Sequence, residues 1–177
     1  NRSWFERCQI RNIKQQLRGL PFSRINLTAA RIFCFGIDKS QWEKYAHRLR
    51  KVMGIKHATL MVQLNSEIDQ IQKSSATQLQ GVVFDTFRVT TKRQFKEFPL
   101  SSQQVNEEVG KYLQSIYLKP VDLKNAAVNI IIELVKGMAY VGYMRVQGYG
   151  GLPVGTSEHA VSMISSGIDS PVASFEM

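Results

Sequence analysis

Read for the spacing of apolar and polar positions, the chain opens as a helix and then alternates between strand-like and helix-like stretches. Residues Arg2 to Leu20 place Trp4, Phe5, Ile10, Ile13 and Leu17 mostly three and four positions apart, which gives a helix one apolar stripe. Arg7, Arg11, Lys14 and Arg18 fall between them, and Gly19 and Pro21 end the element. ARIFCFG then reads as one strand or part of two, QWEKYAHRLRKVM as a second helix and KHATLMVQL as a further strand, with Gly36 and Gly54 at the breaks.

With one more strand ahead of Asn1, this order is the split βαββαβ arrangement of a ferredoxin-like domain, expected over residues 1–64. A polar junction at Leu64 and Asn65 leads into a helix over Ser66 to Gln80, with Ser66 as its expected N-cap. GVVFDTFRVTTKR is rich in β-branched and aromatic residues and reads as a strand. SSQQVNEEVGKYLQSIY reads as a helix opened by Ser102. AAVNIIIELV and MAYVGYMRVQG are two more strands, joined at Lys136 and Gly137. These elements make a second small α/β unit over residues 65–147.

Five residues of GYGGLPVGTSEHA are Gly or Pro, so residues from 148 onward read as a linker. It leads into AVSMISSGIDSPVASFEM, expected to be a short buried strand, a turn of small residues and the start of a helix with Pro171 in its first turn. Asn1 stands where an initiator Met is usual, and SPVASFEM stops without a cap, so both ends read as cuts.

Charge changes the picture because it is uneven. Residues 1–56 carry 13 Lys or Arg against 3 acidic residues, whereas the remainder carries 10 against 11. The positive field belongs to the first third of the chain and suits a polyanion. A solvated basic surface would have the same composition. The longest apolar run, near Ala126 to Val135, is too short for the roughly 20 residues of a membrane-spanning helix, and the opening residues lack an apolar leader. Cys8 and Cys34 are too few and too isolated for a metal cluster. They read as packing residues in a reducing, cytoplasmic compartment.

The segment SSGIDS holds the candidate chemistry. A strand, a turn of small residues and a helix start can direct backbone N–H groups at a phosphate. Ser165, Ser166 and Gly167 keep the turn open, Ser170 brings a hydroxyl, and Asp169 is placed to organise the loop or a bound cation. The Lys of a Walker A motif and the glycine spacing of a dinucleotide fingerprint are both missing, so an ordinary strand-to-helix turn fits the same letters.

GYGGLPVGTSEHAVSMISSGIDSPVASFEM resembles the junction of tRNA 4-thiouridine synthetases, in which GGLPVGT leads into a PP-loop of the form SGGxDSPVA. FRVTTKRQFKEFPLSSQQVNEEVG and VDLKNAAVNIIIEL resemble the THUMP core of the same family, and NRSWFERCQIRNIKQQL carries a weaker likeness. The resemblance implies a ferredoxin-like domain (1–64), a THUMP RNA-binding domain (65–147) and, in 148–177, the first strand, loop and helix of an adenine-nucleotide α-hydrolase-like ATP-pyrophosphatase domain. It implies an enzyme that adenylates a tRNA uridine with ATP and Mg²⁺ and replaces the activated oxygen with persulfide sulfur from a cysteine desulfurase or another donor. On that likeness Met163, Ile164, Ser165, Ser166, Gly167, Asp169 and Ser170 contact ATP, with Asp169 the organising residue. Ser166 stands where the family usually has Gly. The sulfur-carrying Cys of the family falls beyond Met177, so this stretch by itself is expected to be inactive.

For tRNA, two groups of cations are expected to meet phosphates: Arg88, Lys92, Arg93, Lys96 and Lys111, and Arg11, Lys14, Arg18, Arg48, Arg50 and Lys51. Phe95 and Phe98 flank Lys96 and fit either base stacking or the core, the core being the commoner use. Two other readings stay open: a THUMP module of a different RNA-modifying enzyme, or a PP-loop ligase or sulfur-transfer protein of thiamine synthesis. A homodimer is compatible with all of them.

Overall fold

A computed structural model describes residues 2–94, 97–158 and 161–176 of the chain. Helix α1 (Arg2–Gln16) leads into a hairpin of β1 (Arg24–Thr28) and β2 (Arg31–Phe35). Then come α2 (Trp42–Leu49), β3 (His57–Thr59), β4 (Val62–Asn65), α3 (Ile68–Leu79) and β5 (Phe87–Arg93). The chain continues through α4 (Ser102–Tyr117), β6 (Val128–Val135), β7 (Met138–Gly142), β8 (Arg145–Gln147) and α5 (Asp169–Glu176).

The second unit is the more complete. Its sheet has the order β4-β7-β6-β5, with β5 parallel to β6 and the other pairs antiparallel. Ile130, Ile132 and Leu134 of β6 alternate toward α3 and α4, where they meet Ile71, Leu79, Val105, Val109 and Leu113 in one buried cluster. Helix α4 is fixed at both ends. Ser101 accepts from the Gln104 backbone N–H while the Gln104 side chain accepts from the Ser101 N–H, and Leu118 turns left-handed at the C-cap. The cap is thus one residue earlier than the sequence pattern suggests. Ser66 does not cap α3, whose N-cap is Glu67; the Ser66 hydroxyl donates instead to the Gly137 carbonyl at 2.8 Å.

The first unit packs α1 and α2 against β1, β2 and β3, around Ile13, Leu17, Trp42, Tyr45 and Val52. Its strands form two separate two-stranded sheets, β1-β2 and β3-β8. Two expected strands break. KHATLMVQL divides at Leu60 and Met61 into β3 and β4, and MAYVGYMRVQG divides at Tyr143 and Met144 into β7 and β8. In each run the two pieces lie in different sheets, β3 pairing with β8 and β4 with β7, so the chain crosses twice between the units. Gly142 permits this crossing: a Cβ there would overlap the Leu60 carbonyl oxygen. The hairpin turn at Ala29 and Ala30 has φ of 51° and 59°, the double left-handed geometry of a two-residue turn that Asn or Gly would fill more easily. Beyond the turn Arg31 pairs with Glu133 of β6 at 2.7 Å, and Phe33 lies 4.5 Å from Tyr140 of β7.

Residues 149–156, expected to be a free linker, lie along α1. Gly54 N–H donates to Gly150 O at 2.6 Å, Asn12 Nδ2 to Val154 O at 2.9 Å, and Pro153 is buried. The expected buried strand at Val161 to Ile164 does not form; these residues are exposed and unpaired with any strand among the described residues. A buried parallel strand needs neighbours on its edges and faces, and none of the described strands lies beside it.

Candidate nucleic-acid interface

Strand alternation divides the cations that are adjacent in sequence. On β5, Phe87, Val89 and Thr91 turn toward the helices and are buried, so Arg88, Thr90 and Lys92 share the opposite face. Arg93 points with the buried set, where its guanidinium donates to the carbonyls of Phe98 at 3.0 Å and Leu100 at 3.2 Å. It fastens the loop before α4. Phe98 is a core residue. Lys111 sits on α4, paired with Glu108 at 3.8 Å, while Phe95 and Lys96 lie outside the described residues.

The face that carries Arg88 and Lys92 opens into a groove of about 680 Å³ between the two units. Lys92, Arg31, Arg145, Lys56 and His57 line one end of it, around the buried carboxylate of Glu133. Burial raises the Glu133 pKa above the usual carboxylate value, and the attraction of Arg31 and Lys92 only partly offsets this. His57 is held below its usual value, first by burial and then by Arg145, Lys92, Lys56 and Arg31, so it adds no charge to the groove near neutral pH. Arg145 Nε donates to Thr59 Oγ1 at 3.0 Å, and Arg88 donates to the Leu123 carbonyl at 3.0 Å.

This arrangement offers positive charge and N–H donors, the chemistry that receives phosphates. Burial pushes the Cys34 thiol at the groove up to about 11, away from the thiolate form. Arg31, Lys56 and Arg145 were not distinguished by charge counting along the chain. The available signal was a lone Arg in the otherwise apolar run MAYVGYMRVQG.

The N-terminal cations also separate by role. Arg7, Arg11, Lys14 and Arg18 stand together along the outer side of α1, where they line a shallow recess. Arg48 reaches back from α2 to the carbonyls of Gln16 and Arg18, so it satisfies groups that the end of α1 leaves without helical partners. Arg50 and Lys51 are exposed just after α2.

At the start of α5, small side chains keep residues 165–170 open. Ser165 N–H and Oγ both approach Ser170 Oγ at 2.9 Å, and Gly167 N–H lies 3.3 Å from Ser165 Oγ. Ser166 does not have a positive φ, and neither does Gly167. The hydroxyls and backbone N–H groups of this turn thus bond mainly to one another, just ahead of and within the first turn of α5. Met163, Ile164 and Asp169 are exposed beside it.

Comparison with known proteins places these features in context. Residues 1–59 match the ThiI ferredoxin-like domain, and residues 65–143 match the THUMP domain. The chain is 37% identical over 180 residues to the probable tRNA sulfurtransferase of Thermoanaerobacter pseudethanolicus, covering 100% of this chain and 46% of that protein. Among solved structures, PH1313 from Pyrococcus horikoshii aligns with a TM-score of 0.80 at 32% identity, over 88% of this chain and 54% of that one. A 4-thiouridine synthetase solved as an RNA complex with bound ATP aligns with a TM-score of 0.77 at 29% identity, over 99% of this chain and 45% of that one. The chain therefore spans about half the length of the relatives it matches.

Proposed function

Because the chain belongs to the ThiI-type tRNA sulfurtransferase family, of which it presents the ferredoxin-like and THUMP portion, we propose that it supplies tRNA recognition to an enzyme that makes 4-thiouridine in tRNA. The observation that carries this reading is the alignment of nearly the whole chain with an RNA-complexed 4-thiouridine synthetase. The physical basis is a surface with few acids. Arg88 and Lys92 on the open face of β5, Arg145 on β8, Arg11 and Lys14 on α1 and Arg18 just past its end meet backbone phosphates, while Arg48 fastens the end of α1 and Arg93 the loop before α4. Arg50, Lys51, Lys96 and Lys111 extend the field.

In the same reading, residues 148–177 lead into an ATP-pyrophosphatase domain and its PP-loop. ATP with Mg²⁺ would adenylate the uridine carbonyl oxygen with release of pyrophosphate, and that oxygen would then depart with AMP as sulfur delivered as a persulfide takes its place on the carbon. Ser165, Ser166, Gly167 and Ser170 direct donors at the phosphates, Asp169 organises the loop, and Met163 and Ile164 flank the nucleotide. This site needs the remainder of the enzyme, including its sulfur-carrying Cys and a persulfide donor such as a cysteine desulfurase.

The test is a tRNA-binding series on residues 1–177 at increasing salt, without ATP. Affinity is expected to fall with a log–log slope of about −0.9 for each duplex phosphate neutralised. Lys92→Ala is expected to reduce that slope by about one, and Arg93→Ala to lower stability with the slope unchanged. Equal affinity for tRNA and heparin would overturn specific recognition. Asp169→Ala in the complete enzyme is expected to abolish thiolation and leave tRNA binding intact.

A further inference from the structure

Strand β6 is apolar except at Asn129 and Glu133, which stand on the sheet face opposite Ile130, Ile132 and Leu134. Asn is disfavoured in strands, because its amide competes for backbone groups and packs poorly on a pleated surface. The parallel register sets Asn129 beside Arg88 and Glu133 beside Lys92 of β5. Two cations of one strand thus receive different neighbours: Lys92 a buried carboxylate, Arg88 a neutral amide.

The surrounding hydrogen bonds assign the orientation of that amide. Its oxygen accepts from Arg88 Nε at 3.3 Å, and its nitrogen donates to Thr90 Oγ1 at 2.8 Å and to the Ile130 carbonyl at 3.3 Å. The reverse orientation sets donor against donor and acceptor against acceptor. Arg88 Nη1 also donates to the Leu123 carbonyl at 3.0 Å, in a loop that Asp122 fixes by accepting from the Lys124 and Asn125 N–H groups. The guanidinium is therefore gripped by two neutral acceptors, and Arg88 forms no ion pair among the described residues. It keeps its whole charge and its remaining N–H donors for a ligand. Thr90, which accepts from Asn129, keeps its O–H to donate, two residues on and about 7 Å along the strand.

We propose that Asn129 is a positioning residue for RNA: it aims Arg88 at a backbone phosphate and frees the Thr90 hydroxyl as a second donor on the same face. This rests on the reading of the chain as a tRNA-recognition portion. An arginine held in advance loses little freedom on binding. A lysine has no planar fork to be gripped by two acceptors, so the ligand itself must order it. Asn129 contributes no charge, which separates its effect from the electrostatic one: it changes affinity alike at every salt concentration and leaves the salt slope as it is.

Binding of an unmodified tRNA transcript to residues 1–177 over a salt series tests this. Asn129→Ala is expected to weaken binding about fivefold, the ordering cost of one long side chain, with the slope unchanged. Arg88→Lys, at a side chain outside the core, is expected to show the same loss and the same slope. Arg88→Ala is expected to lower the slope by about one, and adding Asn129→Ala to either Arg88 variant is expected to cost nothing further. If Arg88→Ala weakens binding but Asn129→Ala or Arg88→Lys keeps full affinity, the positioning role is overturned and Arg88 stands as a phosphate contact. A loss from Asn129→Ala that persists undiminished in the Arg88→Ala background overturns it equally, since Asn129 then acts without Arg88. If Arg88→Ala keeps both affinity and slope, the proposal falls together with the assignment of this sheet face to RNA.

Discussion

The two units of this molecule solve the same packing problem to different degrees. In the second, four strands and two helices enclose a continuous cluster in which Ile132, Leu134, Val105 and Leu113 have no accessible surface. In the first, two helices lie over two separate ribbons, and all five residues of β2 are only partly buried. Apolar content hardly distinguishes them, because five of the seven residues of ARIFCFG and eight of the ten of AAVNIIIELV are apolar. Sheet continuity does: β6, which carries Ile132 and Leu134, is flanked by β5 and β7, whereas β2 pairs only with β1 among the described residues.

The most severe way to sharpen this contrast is Ile132→Ala. Its site is enclosed and cannot readily collapse, so the expected loss is about 3 kcal/mol in urea unfolding, within the roughly 2–5 kcal/mol range for buried Ile truncation. Ile32→Ala on the partly buried β2 is expected to cost less than half as much. Similar losses at the two positions would erase the difference between the units. Gly142→Ala attacks the place where they join. Its new methyl overlaps the Leu60 carbonyl, and an expected loss of about 2 kcal/mol follows from the usual overpacking range, with reduced protection on both β4 and β7.

The next effect has the opposite sign. Ala29→Gly removes a left-handed strain of order 1 kcal/mol, lessened by the entropy that Gly adds to the unfolded chain, so a small gain in melting temperature is expected. A loss would show that the turn is relaxed as it stands. Last comes a pH effect at Glu133. Burial lifts its folded pKa above the unfolded value, so protonation favours folding. The contribution of Glu133 to stability therefore falls as pH rises from the unfolded carboxylate value, about 4.3, through the raised folded value, and stays constant above it. Glu133→Gln should gain on the wild type across that window, as read from urea midpoints at pH 4 and 7. A difference that did not change with pH would mean that Arg31 and Lys92 fully compensate the burial.

Legibility in the sequence followed the range of the forces involved. Helix α4 was readable because the spacing of Val105, Val109 and Leu113 acts within a few residues, although the pattern opened it at Ser102, one residue past the Ser101 cap. The breaks at Leu60 and Tyr143 were not, because which sheet an apolar residue joins depends on strands distant in the chain. Arg88 and Arg93 form one basic cluster in the sequence, yet strand parity, itself a sequence property, sends them to opposite faces. For residues 161–170, the turn of small residues formed while the preceding strand did not. Local hydrogen bonds suffice for the first, whereas the second depends on neighbouring strands.

The double crossing of the chain between the units also bears on how RNA would be held. A single connecting peptide allows swivelling, but two neighbouring strands that pass together from one sheet to the other resist bending and torsion alike. The cations on α1 and those on β5 consequently keep a fixed separation before any ligand arrives. On the proposed reading they would act as a ruler whose marks are set by folding, an RNA being selected by the distance between its phosphates, with little rotational freedom left to be lost on binding.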